Sequence, residues 1–384
     1  MKIANCLYFP AILAVLLSCS SPQRPETSEK GDTLRLSHST LLSIVDFHGY
    51  RKVDIMNPWN PGSVLHTYYL VGKNNMEKIS GRHGRAADFQ DGTTIKIPIS
   101  RAVSLTTVHA SLIAELSGLE PLVGIADGRW LVTDSLRLSF LSGIISDVGE
   151  ASNPDVESIM ALSPDLLMAS PFENSGGYGK LSESGIPILE CADYMEPSPL
   201  ARAEWIKLFG MLLGEESKAD SIFSATEKRY ESLREKAASY ADSPVVLTDI
   251  PWHGVWYVPG GNSTTGRLIA DANGIYPYSD NPDKGSISRP IEEVLSKCSN
   301  ADVWIIRSGQ PITYGELGSM SDAFALIKPF RNRHVFACDT SSSPIYEQTP
   351  FHPDLLLEEY IKILHASDPD SLLYFKPISG ANPS

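Results

Sequence analysis

The fold is constrained most by an alternation of short apolar runs with segments of helical periodicity, which starts at residue 102. In the first half of the chain, strands are predicted at residues 102–106, 122–125, 165–169 and 186–191, and helices at 109–116 and 154–162. In the second half, strands are predicted at 245–249, 303–306 and 334–338, and helices at 265–273 and 291–298. Apolar runs bounded by turns and separated by helices are typical of parallel sheets buried on both faces. The sequence therefore predicts an α/β protein with two lobes.

One long amphipathic helix is predicted between the two halves, at residues 218–241. Its inward positions recur at spacings of three and four, with charged residues between them: Ala219, Ile222, Phe223, Thr226, Tyr230, Leu233 and Ala237. A helix of this length spans about 36 Å, which is roughly the width of a small domain. The pattern fits both a helix that braces the two lobes and an ordinary long helix of one lobe.

A small β-rich extension is predicted ahead of the first lobe, because residues 33–98 carry polar, weakly alternating segments. The length of the chain suits two domains rather than one. The predicted organisation is a signal peptide at 1–18, a flexible tether at 19–33, an N-terminal lobe with the extension at 34–217, the bridging helix at 218–241, and a C-terminal lobe with a terminal helix at 242–384.

The N-terminal segment has the pattern of a bacterial lipoprotein signal. Lys2 precedes an apolar stretch that is too short to span a membrane and that ends in the sequence Leu-Leu-Ser-Cys at residues 16–19. A cysteine after a small residue at this place predicts acylation of Cys19, which becomes the first mature residue. The alternative is a plain signal peptide with a coincidental cysteine. The polar segment at 20–32 is predicted to be the tether.

Composition and cysteine spacing exclude several classes of function. The formal net charge is −14 and no basic patch is present, so no nucleic-acid partner is predicted. Cys191, Cys298 and Cys338 are odd in number and far apart, which disfavours a disulfide framework or a zinc ribbon and favours buried free thiols.

Local motifs for catalysis are absent from the sequence. It contains no Gly-x-Ser-x-Gly, His-Glu-x-x-His or Cys-x-x-Cys, so it is not predicted to be an enzyme. The glycine-rich stretch at 259–266 lacks the lysine of a phosphate-binding loop. A turn with an N-cap is the preferred interpretation, and an anionic group of a ligand at the following helix is the alternative.

Four motifs occur in one order along most of the mature chain. They lie at 103–107 with 118–125, at 147–149 with 153–159 and 161–167, at 198–206, and at 256–261 with 268–272. Together they resemble the Fe/cobalamin-type periplasmic binding proteins, the substrate-binding subunits of ABC importers for ferric siderophores, haem and cobalamin. The resemblance implies two Rossmann-like lobes bridged by one long α-helix, which face each other across a shallow cleft.

In that fold the ligand lies at the carboxyl ends of the strands, which nominates the residues that follow them. The candidate ligand contacts are Thr107, His109, Trp130, Tyr178, Tyr194, Trp252, Trp256 and Tyr257. Trp and Tyr in loops offer flat apolar surfaces with a polar edge. The alternative for Trp252 and Trp256 is that they cap the end of the sheet as part of the core. For an anionic chelate, Arg129 and Arg307 are the candidate cations.

The resemblance also implies one acidic docking residue for the membrane permease on each lobe, and Glu157 and Glu292 fall at the matching positions. Both are near predicted helix starts, where a carboxylate gains about 0.3–1 kcal/mol from the helix dipole without any partner. Glu293 leaves the second assignment open by one residue.

The function implied is that of a monomeric, lipid-anchored periplasmic protein of a bacterial cell. It captures a metal chelate, which is a ferric siderophore, haem or cobalamin, and delivers it to an ABC permease and its ATPase subunits; no cofactor is predicted. Two alternatives stay open. One is a tethered chelatase-like enzyme on a similar fold, and the other is a receptor for a bare transition metal held by His109, His253 and His334.

Overall fold

The computed structural model describes residues 31–75, 89, 91–173, 177–365 and 371–380. The predicted signal peptide and Cys19 lie outside these residues, so the structure does not bear on them. Gly31–Ser384 forms one compact unit.

The β-rich extension is a five-stranded sheet with the strands in chain order. Its strands are β1 (Asp32–Leu34), β2 (Leu42–Phe47), β3 (Tyr50–Met56), β4 (Val64–Gly72) and β5 (Thr93–Ile97). Neighbours pair antiparallel except β4 and β5, which are parallel. Leu42 and Ile44 belong to the same buried cluster as the helices of the N-terminal lobe. The sheet is therefore joined to that lobe through a shared core.

Two buried glutamates hold the segment that leads into this sheet. The carboxylate of Glu204 accepts hydrogen bonds from the backbone N–H groups of Ser37, His38 and Ser39. Burial raises the pKa of Glu204, but these N–H donors outweigh it and hold the pKa below its usual value. Glu196 binds the next residues, including the backbone N–H of Leu41 at 3.0 Å. The extension is thus fixed by charge-assisted hydrogen bonds as well as by apolar packing.

The N-terminal lobe is built on a parallel sheet in the order β12-β11-β6-β7-β8. Its strands are β6 (Ala102–Ser104), β7 (Leu122–Ile125), β8 (Ser146–Asp147), β11 (Leu166–Ala169) and β12 (Ile188–Glu190); β9 (Gly149–Glu150) and β10 (Asn153–Pro154) form a separate short pair. The helices are α1 (Thr107–Ser117), α2 (Asp134–Leu141), α3 (Val156–Leu162) and α4 (Lys180–Glu183). Parallel pairing needs such crossovers between strands.

Three helices connect the lobes: α5 (Pro199–Ala203), α6 (Ile206–Leu213) and the long α7 (Glu216–Ala238). On α7, Ala219 and Phe223 belong to the core of the N-terminal lobe. Tyr230 and Ala237 belong to the core of the C-terminal lobe. The long helix therefore packs into both cores, as a bracing helix does.

The C-terminal lobe has a sheet in the order β13-β17-β18-β19, parallel except for the last strand, and a three-stranded antiparallel sheet, β14-β15-β16. The strands are β13 (Val246–Thr248), β14 (Pro251–Trp252), β15 (Val255–Pro259), β16 (Ser286–Pro290), β17 (Val303–Ser308), β18 (Val335–Asp339) and β19 (Lys376–Pro377). The helices are α8 (Thr264–Asp271), α9 (Ile291–Cys298), α10 (Tyr314–Met320), α11 (Lys328–Arg331), α12 (Ile345–Gln348) and α13 (Pro353–His365). Cys191, Cys298 and Cys338 are free and buried, which confirms the prediction for the thiols.

Candidate functional site

A cavity of about 100 Å³ lies between the connecting helix α5 and the C-terminal lobe. It is lined by Pro199, Arg202, Thr264, Thr265, Leu268, Arg307, Ile345, Tyr346, Thr349, Pro350, Pro353, Leu356, Tyr360 and Phe375. Arg307 is near the carboxyl end of β17, and Tyr346 is on the helix that follows β18. This is the edge of an open α/β sheet where ligands bind.

The lobes touch each other beside this cavity. Glu347 is buried on α12, and its carboxylate accepts hydrogen bonds from the backbone N–H groups of Val132 and Thr133, at 2.6 and 2.9 Å. Phe351 packs its ring against His109 and Phe209 of the N-terminal lobe. The segment that follows β18 thus forms one wall of the cavity and also contacts the opposite lobe.

Arg307 is held in the cavity wall by Asp249, which directly follows β13. The guanidinium donates from Nε and Nη2 to the two carboxylate oxygens, at 3.1 and 2.8 Å. The charge of Asp249 raises the pKa of Arg307 well above its usual value, so the side chain stays protonated. This two-pronged pairing fixes the plane of the guanidinium.

Arg202, on the connecting helix α5, is held in a similar way by an aspartate of the N-terminal lobe. Its Nε donates to Asp193 Oδ2 at 2.9 Å, and Asp193 follows the edge strand β12. The other oxygen of Asp193 lies 2.9 Å from His109 Nε2, and His109 Nδ1 lies 2.6 Å from Thr106 Oγ1. Because an ionised carboxylate only accepts, Nε2 of His109 carries a proton. A buried chain of Thr106, His109 and Asp193 therefore orients Arg202.

The pKa of Asp193 follows from the same contacts. Burial raises it, but the charges and hydrogen bonds of His109 and Arg202 outweigh burial and lower the pKa below its ordinary value of 3.8. Asp193 is therefore ionised at neutral pH. On the other wall, burial raises the pKa of Tyr360 to about 12, so its phenol stays protonated and can donate to a ligand.

The comparison with known families decides the kind of protein. The sequence pattern of the periplasmic binding protein family matches residues 103–341, more than half of the chain. The chain belongs to this family. The members with solved structures that it resembles confirm the predicted α/β fold with two lobes.

Among relatives of this periplasmic binding protein, an uncharacterized lipoprotein, MJ0878, of Methanocaldococcus jannaschii is 26% identical over an alignment of 357 positions that covers 88% of this chain and 83% of that protein. A periplasmic haem-binding protein of Pseudomonas aeruginosa superposes with a TM-score of 0.57 at 16% identity, over 74% of this chain and 100% of that one. A molybdate periplasmic binding protein of Haemophilus influenzae, solved with molybdate, gives 0.56 at 18% identity, over 70% of this chain and 87% of that one.

These likenesses indicate an extracytoplasmic binding protein and show the fold. The family and the solved neighbours are binding proteins rather than enzymes. Over the described residues, no helix combines the length and the apolar character that crossing a membrane requires.

Three of the predicted contacts are exposed side chains near the carboxyl ends of strands. Trp130, after β7, is 57% exposed, and Trp252 and Tyr257, on the antiparallel hairpin after β13, are 69% and 48% exposed. None of them lines the cavity. They are open to the solvent.

Two predicted contacts need correction because the structure places them in the core. Trp256 is 0% exposed, donates from Nε1 to the carbonyl of Thr248 at 2.9 Å, and packs against Trp304. His109 is buried, and both ring nitrogens have protein partners. A ligand in the cavity cannot touch Trp256, and His109 acts on Arg202 only through Asp193.

The remaining predicted contacts are half-buried. Tyr178 donates to Glu190 at 3.2 Å, and Tyr194 donates to the carbonyl of Pro171 at 2.5 Å. Thr107 is the first residue of α1, while the hydroxyl that caps this helix and meets His109 belongs to Thr106. The structure does not bring these three to the cavity lining.

Of the two arginines nominated for an anionic ligand, only Arg307 lines the cavity. Arg129 is exposed and pairs with Asp127 and with Glu150. Arg202, Asp193 and Asp249 were not nominated. The signal that could have found the aspartates is their position, since Asp249 directly follows the edge strand β13 and Asp193 comes three residues after the edge strand β12.

The three histidines suggested for a bare metal do not converge. His334 precedes β18 and so lies at the amino end of that strand, whereas His109 and His253 follow the carboxyl ends of theirs. Within the residues that the structure describes, no group of three or more His, Cys, Asp or Glu side chains is arranged to hold a metal ion.

Proposed function

We propose that this periplasmic binding protein captures a metal chelate in the interlobe cleft and delivers it to the permease of an ABC importer. The observation that carries the proposal is the cavity itself, which lies near the carboxyl ends of strands of the C-terminal lobe and is walled by that lobe and by the connecting helix α5. The family match supports a substrate-binding role. One solved neighbour is a haem-binding protein, which supports a metal chelate as the cargo.

The cavity is smaller than the roughly 300–1,000 Å³ of sites that enclose a drug-sized ligand. A chelate therefore inserts only a part of itself, or the lobes separate to admit it. Trp130 and Trp252 offer exposed aromatic faces for the remainder. A lipid anchor at Cys19 would keep such a protein beside the membrane that holds its permease.

The binding proposal is tested by titrating tryptophan fluorescence of the chain without residues 1–19, since Gly31–Ser384 forms one compact unit. We expect saturable quenching, at micromolar concentration or below, by one of haemin, cobalamin, ferric catecholate and ferric hydroxamate. Free zinc and the chelators without metal are the controls. Quenching by zinc alone, or by none of the chelates, would contradict the proposal.

Glu157 and Glu292 are proposed as the permease contacts. Both are exposed, and neither has an ion pair within the described ranges. Glu293, in contrast, pairs with Arg289 at 3.2 Å, which favours Glu292 as the free carboxylate. Carboxylates that face basic pockets would set the encounter rate and the orientation on the permease.

We expect the charge reversals Glu157→Arg and Glu292→Arg together to lower uptake of the bound chelate about 10-fold or more, because like charges across an interface cost several kcal/mol. Uptake is measured in cells that carry the chain and its permease, and chelate affinity is measured in parallel. Glu235→Arg, on the exposed side of α7, is the matched control. Unchanged uptake by the double variant would remove both residues from docking.

A further inference from the structure

The charge of the cavity lining differs from that of the whole protein. The chain has a formal net charge of −14, yet the only charged side chains among the described residues that line the cavity are Arg202 and Arg307. The carboxylates that pair with them, Asp193 and Asp249, are not lining residues. Within the described residues, the cavity lining of this acidic protein therefore contributes two guanidinium groups and no carboxylate, which favours anions over cations.

Each of the two arginines has guanidinium N–H groups that donate to none of the described residues. Asp249 occupies Nε and Nη2 of Arg307, and Asp193 occupies Nε of Arg202. Nη1 of Arg307, and Nη1 and Nη2 of Arg202, make no hydrogen bond to the part of the chain that the structure describes. The side chains are 27% and 21% exposed, respectively, so these donors are only partly hydrated. Burying them against an uncharged apolar ligand would leave donors unsatisfied.

The same arrangement occurs twice. In each lobe an aspartate that comes after an edge strand binds one arginine of the cavity lining. On the N-terminal side the aspartate is itself fixed by His109 at 2.9 Å. Guanidinium groups oriented in advance lose little side-chain entropy when a ligand binds.

We infer that the cavity takes an anionic oxygen group of the ligand and holds it between the guanidinium groups of Arg202 and Arg307. The group is a carboxylate, a catecholate or a free oxyanion, all of which match the planar fork of arginine. Thr264 and Thr265, the first residues of α8, add the positive end of a helix to the same lining. This inference rests on the proposed function, because it concerns the ligand of the same cleft.

The test is calorimetric titration of the chain without residues 1–19 with four probes. Haemin carries two carboxylates, ferric tris-catecholate is an anionic chelate and molybdate is a free oxyanion, while haemin dimethyl ester lacks the carboxylates of haemin. We expect at least one anionic probe to bind, and Arg307→Gln and Arg202→Gln each to weaken it about 10- to 100-fold, as the loss of a charge-assisted hydrogen bond does. The anionic probe that binds shows whether the oxygen group belongs to a carboxylate, a catecholate or a free oxyanion.

Arg234 is a partly exposed arginine on α7 that pairs with Glu231 and does not line the cavity. Arg234→Gln makes the same change of charge and should leave affinity unchanged. If Arg307→Gln fails to fold because Asp249 is left unpaired, Arg307→Gln with Asp249→Asn removes both charges together. That double variant should show the same loss of affinity. Arg307→Lys keeps the charge without the fork and should fall between the wild type and Arg307→Gln.

The outcomes separate the inference from the proposed function. Binding of haemin dimethyl ester as tight as that of haemin, or anion binding that the arginine variants leave unchanged, would overturn the inference and leave chelate capture standing. Binding that Arg234→Gln weakens as much as Arg307→Gln would show only nonspecific attraction of anions and would also overturn it. If none of these probes binds, nor cobalamin or ferric hydroxamate, both fail.

Discussion

Replacing Asp193 with asparagine is expected to lower the free energy of unfolding by about 3–5 kcal/mol, the usual loss when one partner is removed from a buried ion pair. Its side chain is 1% exposed, and its two oxygens bind Arg202 and His109. An asparagine of the same shape would turn an amide toward the guanidinium and leave its charge without a counter-ion. The measurement is urea unfolding at pH 7, with Asp220→Asn on the exposed face of α7 as the matched control.

The same variant has a predictable dependence on pH. Because the pKa of Asp193 is lower in the folded protein than its ordinary value of 3.8, the stability it contributes is complete above that value. It is lost as the pH falls from there through the folded pKa. The difference in stability between the wild type and Asp193→Asn should therefore shrink in strong acid. A difference that is constant from pH 7 to pH 2 would contradict the role of the carboxylate charge.

The variant also separates positioning from folding. In buffer without urea at pH 7, where the protein stays folded, Asp193→Asn should weaken anion binding because Arg202 loses the group that orients it. Asp249→Asn should act in the same direction through Arg307. Affinity that is unchanged in both folded variants would mean that the arginines need no orientation by these carboxylates.

The parallel sheets could be predicted from the sequence because both faces of their strands are buried. In β11, all four residues are buried, and in β17 the first four are, so each appears as a continuous apolar run. The antiparallel sheet of the C-terminal lobe could not be predicted in this way. In β15 the buried Trp256 and Val258 alternate with the exposed Tyr257. Because both faces of this strand carry apolar residues, the sequence shows no alternation of apolar and polar residues.

The site was only partly predictable. Arg307 follows from its place near the end of a predicted strand, but Arg202 is in a short helix after an irregular segment, and no periodicity shows where its side chain points. Trp252 and Trp256 are equally aromatic in sequence. Their burial differs because the chain turns between them. His253 and Gly254 are both at positive φ, as in a type I′ hairpin, and this turn sets the register of the two strands. Such a register is a property of the folded sheet.

Trp256→Ala is expected to lower the free energy of unfolding by about 3–5 kcal/mol, as the loss of a large buried aromatic side chain does. The ring is fully buried and lies 5.7 Å from Trp304 and 5.8 Å from Phe324, measured between ring centroids. Its removal also leaves the carbonyl of Thr248 without the indole donor. Urea unfolding followed by circular dichroism measures the loss without depending on the tryptophan that is removed.

Trp252→Ala is the matched comparison, because the same residue type is 69% exposed four positions earlier. Its effect on stability should stay within about 0.5 kcal/mol, as for most exposed positions. The two variants then answer different questions. If Trp252 contacts the chelate, Trp252→Ala lowers affinity in a stable protein, while Trp256→Ala leaves the affinity of the folded fraction within about 3-fold, since burial keeps its ring from any ligand. Stability unchanged by Trp256→Ala would contradict its place in the core.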